Sequence, residues 1–77
     1  MSDTLAELRR AIEGTIPGAK VTATGGGGHF SLEVVAADFA GRSMLEQQRL
    51  VYRAISPLMT GMSAPVHAID SLVTKTP

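Results

Sequence analysis

The fold is decided by residues 29–43, which read HFSLEVVAADFAGRS. Phe30, Leu32 and Val34 lie on one face of an alternating pattern, which is typical of a β-strand with one buried side. Residues 38–42 then predict a turn or a single helical turn. On the N-terminal side, residues 20–24 (KVTAT) also alternate between polar and apolar positions. We expect the two runs to form a β-hairpin with a loose, flexible loop, made of Gly25, Gly26, Gly27 and Gly28.

A short amphipathic helix is predicted before the hairpin. Residues 4–7 (TLAE) have the Thr-x-x-Glu form of a capping box. Gly14 and Pro17 end the helical pattern, whose apolar positions are Leu5, Leu8 and Ile12.

A longer helix is predicted after the turn, where residues 43–46 (SMLE) form a second capping box. Pro57 lies inside the helical pattern, and proline removes a backbone donor and crowds the carbonyl four residues earlier. We therefore expect a kink or an end near Ser56. The apolar face of this helix comprises Met44, Val51, Ile55 and Leu58. Methionine is usually core filler in such patterns, and we assign that role to Met44, Met59 and Met62.

The predicted order is α-β-β-(short α)-α-β. This order indicates a small α/β (α+β) domain, in which a three-stranded mixed sheet packs against helices. Residues 60–65 predict a loop and residues 66–73 the last strand. A strand-helix-strand crossover normally joins parallel strands, so His29 and Val66 should begin strands at the same end of the sheet. This brings His29, the glycine loop and His67 to one edge. The Cα atoms of the two histidines should lie within about 10 Å of each other.

The composition limits the classes of function. A chain of 77 residues predicts one small domain, residues 1–77. The formal net charge is zero, which gives no global basis for attraction to nucleic acid. No cysteine is present to form a disulfide or act as a nucleophile. Because no apolar run approaches the ~18 residues of a membrane span, we expect a soluble cytoplasmic protein without a membrane partner.

Five short segments occur in the order found in one protein family. The chain resembles the BolA family, whose fold is likened to the second class of KH domains. The segments that carry the resemblance are His29-Phe30, Phe39-x-Gly41-x-Ser43, Arg49-x-Val51-Tyr52, His67-Ala68-Ile69 and Thr74-x-Thr76-Pro77.

The resemblance implies a cofactor and a partner. BolA proteins pair with monothiol glutaredoxins and share a [2Fe–2S] cluster, in which glutaredoxin cysteine and glutathione hold one iron. His67 occupies the position of the BolA-side ligand in the His-Ala-hydrophobic motif. In many members the second ligand is a Cys or His in the first hairpin loop, but that loop contains only glycine here. His29 is the nearest substitute. The isolated chain is expected to be a monomer without a cluster.

The residues themselves leave an alternative open for both histidines. With no cysteine in the chain, His29 and His67 are the only side chains suited to a soft or borderline metal, and two histidines replace two cysteines in Rieske centres. A histidine near a strand end is nevertheless more often a surface or hydrogen-bonded residue than a ligand.

The basic residues on or beside the longer helix have two interpretations. Arg42, Arg49 and Arg53 form either a solvated face, partly offset by Glu46, or a surface for a partner or nucleic acid. A KH domain clamps the nucleic acid backbone with a Gly-x-x-Gly loop, whereas residues 39–43 supply one glycine. We therefore predict weak, nonspecific binding at roughly 10⁻⁴–10⁻⁶ M.

The sequence thus favours a non-enzymatic adaptor in iron–sulfur cluster trafficking or iron-status signalling. The alternative is a nucleic-acid-binding transcriptional regulator. An enzyme is disfavoured because the chain has no cysteine nucleophile, no carboxylate pair at catalytic spacing and no cofactor fingerprint.

Overall fold

A computed structural model describes residues 3–77 and confirms the predicted order of elements. The sheet has three strands in the order β1-β2-β3. The elements are helix α1 (Thr4–Thr15), strands β1 (Lys20–Gly26) and β2 (His29–Val35), a 3₁₀ turn (Ala37–Phe39), helix α2 (Met44–Met59) and strand β3 (Ala68–Lys75). The domain therefore has the predicted α+β class with a mixed sheet.

The strand pairing also agrees with the prediction. β1 and β2 are antiparallel, with Val21 opposite Val34. β2 and β3 are parallel, with His29 opposite Ala68, so the starts of these two strands share one edge of the sheet. The register shifts once, between Phe30 and Ser31.

The core lies between one face of the sheet and the two helices. β2 contributes its alternating buried residues, and α1 and α2 contribute residues at helical spacing. The largest fully buried side chains are Phe39, Leu8, Ile12, Ile16, Ile55, Val34, Val51 and Val66. Among residues 3–77, no helix covers the opposite face of the sheet, which is polar at most positions, with Glu33 and Lys75 forming an ion pair at 3.5 Å.

One of the two predicted helix caps is correct. Ser43 caps α2, and the reciprocal bonds of a capping box join it to Glu46. At α1 the capping box predicted from Thr4 is wrong, because Asp3 is the N-cap and its carboxylate accepts the Ala6 N–H at 3.2 Å. The aspartate stands one position earlier and leaves Thr4 as the first helical residue.

Of the kink or end predicted near Ser56, the end is wrong, since the helix continues through Pro57 to Met59. Pro57 lies in the last turn of α2, and its side chain is exposed. Its missing N–H removes one backbone hydrogen bond of the helix. Thr60 is the C-cap of α2, and its hydroxyl donates to the Ser56 carbonyl.

The core role assigned to the methionines holds only for Met59, which packs against the core. Met44 is more than half exposed and Met62 is fully exposed. Met44 lies in the first turn of α2, and its sulfur lies 3.2 Å from the Thr74 hydroxyl oxygen, whose shorter contact is with the Gln47 side-chain oxygen at 2.7 Å. Within residues 3–77, no helix has the length and apolarity needed to cross a membrane.

Candidate metal-ligand edge of the sheet

The hairpin turn at this edge is tight, which corrects the prediction of a loose glycine loop. Gly25 and Gly26 belong to β1, so only Gly27 and Gly28 connect the strands. Both have positive φ, 62° and 85°, as a two-residue turn of type I′ requires. At Gly25 an added Cβ would collide with the His29 carbonyl oxygen. Gly25, Gly27 and Gly28 thus serve backbone geometry and close packing, and the turn leads directly into β2.

His67 lies against this turn. Its backbone N–H donates to the Gly28 carbonyl at 2.8 Å, and the next N–H, of Ala68, donates to the same oxygen at 3.0 Å. A Cβ added at Gly28 would lie 2.9 Å from Cγ and 3.0 Å from Nδ1 of the His67 imidazole. The preceding residue, Val66, is buried and bonds to the Leu58 carbonyl. The His67 side chain is therefore exposed but is carried by an anchored backbone.

His29 lies at the same edge and has a carboxylate partner. Its Nδ1 is 3.2 Å from Oδ1 of Asp70, and the two side chains are 60 % and 58 % exposed. The register passes from Phe30 opposite Ile69 to Ser31 opposite Ser71, which leaves Asp70 as the extra residue of a bulge. Asp70 was missed by the sequence analysis, because a residue 41 positions away meets His29 only through the parallel register and this bulge.

The two predicted ligands thus share one edge, as the crossover rule predicts. Within residues 3–77 no group of three or more His, Asp or Glu side chains could hold a metal ion together. Among these residues, the His67 imidazole therefore does not complete a three-ligand group with His29 and Asp70. The edge offers an exposed imidazole and an imidazole–carboxylate pair, which is an open and incomplete set of donors.

The three predicted arginines come together elsewhere, on α2 and the segment before it. Arg42, Arg49 and Arg53 line a shallow depression of about 240 Å³ with Glu46 and Leu50. The Arg42 Nε–H donates to the Asp38 carbonyl at 2.9 Å, which orients that guanidinium. This basic surface, defined by the three arginines, is distinct in its residues from the histidine edge.

The electrostatics of the basic surface include one ionised carboxylate. Hydrogen bonds from the Ser43 backbone N–H and hydroxyl lower the pKa of Glu46 below its ordinary value of 4.5. Arg42 and Arg49 lower that pKa further. Glu46 is therefore ionised at neutral pH and offsets part of the positive charge of the three arginines.

Comparisons with known proteins agree with this architecture. A family model described as BolA-like protein matches residues 9–77. A BolA protein homologue from Coxiella burnetii is 35 % identical, with a TM-score of 0.78 over 100 % of this chain and 94 % of the other. BolA1 from Arabidopsis thaliana has a TM-score of 0.81 at 20 % identity and covers 100 % and 95 % of the two chains.

The BolA domain of SufE1 from Arabidopsis thaliana has a TM-score of 0.74 at 24 % identity, again over 100 % of this chain and 95 % of the other. A search of curated protein sequences gives no significant match. The family model spans all but the first eight residues, and it includes both histidines and all three arginines of the basic surface. The chain belongs to the BolA-like protein family.

Proposed function

We propose that this chain is a non-enzymatic adaptor in iron–sulfur cluster trafficking or iron-status signalling. In this role it holds one iron of a [2Fe–2S] cluster, while a monothiol glutaredoxin with glutathione holds the other. The observation that carries the proposal is the exposed His67 imidazole on its anchored backbone, beside His29 at the same sheet edge. A cytoplasmic location and a monomeric isolated chain belong to the same proposal.

The chemistry of the donors suits one iron of such a cluster. Two imidazoles replace two thiolates on one iron in Rieske centres, and such a ligand must be neutral with a free ring nitrogen. His67 supplies one exposed imidazole. His29 supplies a second one, whose Nδ1 lies 3.2 Å from Asp70 Oδ1, and we assign its Nε2 to the metal.

The incomplete donor set supports a shared cluster rather than a resident metal. A structural site normally closes around its ion with four ligands, and residues 3–77 contain no group of three candidate donors. A partner that brings its own thiolates satisfies the remaining positions. Because the Gly27-Gly28 turn has no side chain to offer, His29 is the nearest second ligand in this chain.

The proposal is tested by reconstitution with a monothiol glutaredoxin, iron, sulfide and glutathione. We expect a visible absorption spectrum that differs from that of the glutaredoxin cluster alone. His67→Ala should abolish that spectrum or shorten the lifetime of the mixed cluster, while far-ultraviolet circular dichroism stays unchanged. Lys20→Ala is the matched control, because Lys20 is exposed and pairs with Val35 at the opposite end of β2 from His29.

Two results would contradict this scheme in different ways. If the wild-type chain forms no mixed cluster, the proposed function is wrong. If the cluster has the same spectrum and lifetime in His67→Ala, the ligand assignment is wrong even though the partner binds. His29→Ala should weaken the cluster as strongly as His67→Ala if His29 is the second ligand, and less if glutathione or water takes that place.

The basic surface favours a second function, the binding of nucleic acid by a KH-like fold. Three guanidiniums in one depression can contact phosphates, and Glu46 offsets only one of them. Against this, the net charge is zero and residues 39–43 supply a single glycine. We expect a Kd of roughly 10⁻⁴–10⁻⁶ M at physiological salt, measured by fluorescence anisotropy. Nanomolar, sequence-selective binding by the chain alone would reverse the order of the two proposals.

A further inference from the structure

Asp70 occupies an unusual position for a side chain that contacts a predicted ligand. It is the extra residue of the bulge in β3, between Ile69 and Ser71, which pair with consecutive residues of β2. A bulge locally disrupts the ladder and re-aims a side chain. Here the re-aimed carboxylate lies 3.2 Å from Nδ1 of His29.

We propose that Asp70 is a positioning residue that presents His29 as an Nε2 ligand to the shared cluster. The inference rests on the proposed function and names the second ligand of the same site. It assigns the bulge in β3 a chemical purpose, which is to bring a carboxylate to the ring nitrogen that does not face the metal.

The chemistry follows from the two nitrogens of a neutral imidazole. One carries a proton and donates, and the other has a free electron pair. A carboxylate is an acceptor only, so Asp70 favours the proton on Nδ1 of His29 and leaves the electron pair on Nε2. Histidines that bind metals almost always donate their other ring N–H to a carboxylate, a carbonyl or a water.

A purely structural role explains the pair less well. Both side chains are more than half exposed, and exposed ion pairs contribute little to folding stability. The bulge meanwhile interrupts the pairing of β2 and β3. A contact of small structural value, at the strand start nearest His67, is better explained by orientation of the imidazole.

The first measurement is the His29 tautomer in the isolated chain, by long-range ¹H–¹⁵N correlation at mildly alkaline pH. We expect His29 in the wild type to carry its proton mainly on Nδ1. Asp70→Ala should shift the population toward the Nε2-protonated form, and Asp70→Glu should restore the wild-type tautomer at least in part. Ser71→Ala, one position along the same strand, is the control and should leave the tautomer unchanged.

The second measurement is the lifetime of the mixed cluster with a monothiol glutaredoxin. Loss of such an outer partner typically lowers metal affinity about 10- to 100-fold, so Asp70→Ala should shorten the lifetime by a similar factor. Asp70→Glu should recover much of it, and Ser71→Ala should match the wild type.

The outcomes separate the two proposals. A wild-type chain that forms no mixed cluster overturns the proposed function and this inference with it. A wild-type cluster whose lifetime is the same in Asp70→Ala overturns the inference alone, and so does a His29 tautomer that does not depend on residue 70. Failure of Asp70→Glu to restore either measurement shows that the carboxylate is not the active feature.

Discussion

The contact between Gly28 and His67 can be tested by adding one methyl group. In Gly28→Ala the new Cβ lies 2.9 Å from Cγ and 3.0 Å from Nδ1 of His67. The imidazole must move to relieve this contact. The same substitution at Gly27 meets no atom within 4 Å, so Gly27→Ala is a matched control for the backbone.

The expected magnitude combines two costs. Alanine at positive φ costs about 1–2 kcal/mol, and both variants share this cost because Gly27 and Gly28 have φ of 62° and 85°. A side chain forced about 30° from its rotamer costs about 0.5–1.5 kcal/mol, and this cost applies only to Gly28→Ala. Gly28→Ala should therefore be less stable than Gly27→Ala by about 0.5–1.5 kcal/mol, or roughly 2–12 °C in Tm.

Urea unfolding followed by circular dichroism measures the difference between the two variants, and the ¹H and ¹³C shifts of the His67 ring report its displacement. Under the proposed function, the mixed cluster should become more labile in Gly28→Ala than in Gly27→Ala, because the proposed ligand His67 has moved. Equal stabilities, with His67 shifts that match the wild type, would refute the packing of the imidazole on the turn.

Three further substitutions test the N-terminal cap of α2, the buried Thr74 hydroxyl and the last turn of α2. Ser43→Ala should lower the unfolding free energy by roughly 0.5–2 kcal/mol and raise the pKa of Glu46 toward 4.5, measured by urea unfolding and NMR titration. Because that pKa is depressed in the folded state, the contribution of Glu46 is complete above its unfolded pKa and is lost as pH falls through the folded pKa, so the wild type should lose stability there. Thr74→Val should cost about 0.5–1.5 kcal/mol in urea unfolding, because the buried hydroxyl donates to Gln47 at 2.7 Å; no loss would mean that this bond adds nothing. Pro57→Ala should raise the urea midpoint by restoring one helical hydrogen bond, which contributes about 0.5–1.5 kcal/mol, and a lower midpoint would contradict the account of the last turn of α2.

Much of the fold was predictable because its signals are local. The alternation in β2 and the capping box at Ser43 each depend on residues a few positions apart, and the crossover rule then gave the parallel pair. Two of the errors concern local signals at the ends of helices. Asp3 and Thr4 are both good caps, and the aspartate that precedes the helix takes the role. Proline usually breaks a helix, but Pro57 lies in the last turn of α2, where few helical hydrogen bonds follow it.

The site was predictable only in part, for a different reason. The shared edge of His29 and His67 follows from topology, but the surroundings of each ring depend on contacts between distant segments. The tightness of the Gly27-Gly28 turn follows from how far β1 extends, which a run of four glycines does not reveal. The bulge that brings Asp70 to His29 has no signature in either strand alone.

The parallel pairing of β2 and β3 has a consequence for when the edge comes into existence. A β-hairpin such as β1–β2 forms within roughly 1–10 μs, but parallel strands need a long crossover before they can pair. The contact between His29 and Asp70 spans 41 positions, and His67 also meets Gly28 only after α2 has been placed. During synthesis or partial unfolding, His29 and His67 therefore do not yet lie together at one edge of the sheet. The proposed recruitment of a cluster by this edge should therefore be confined to the completely folded protein.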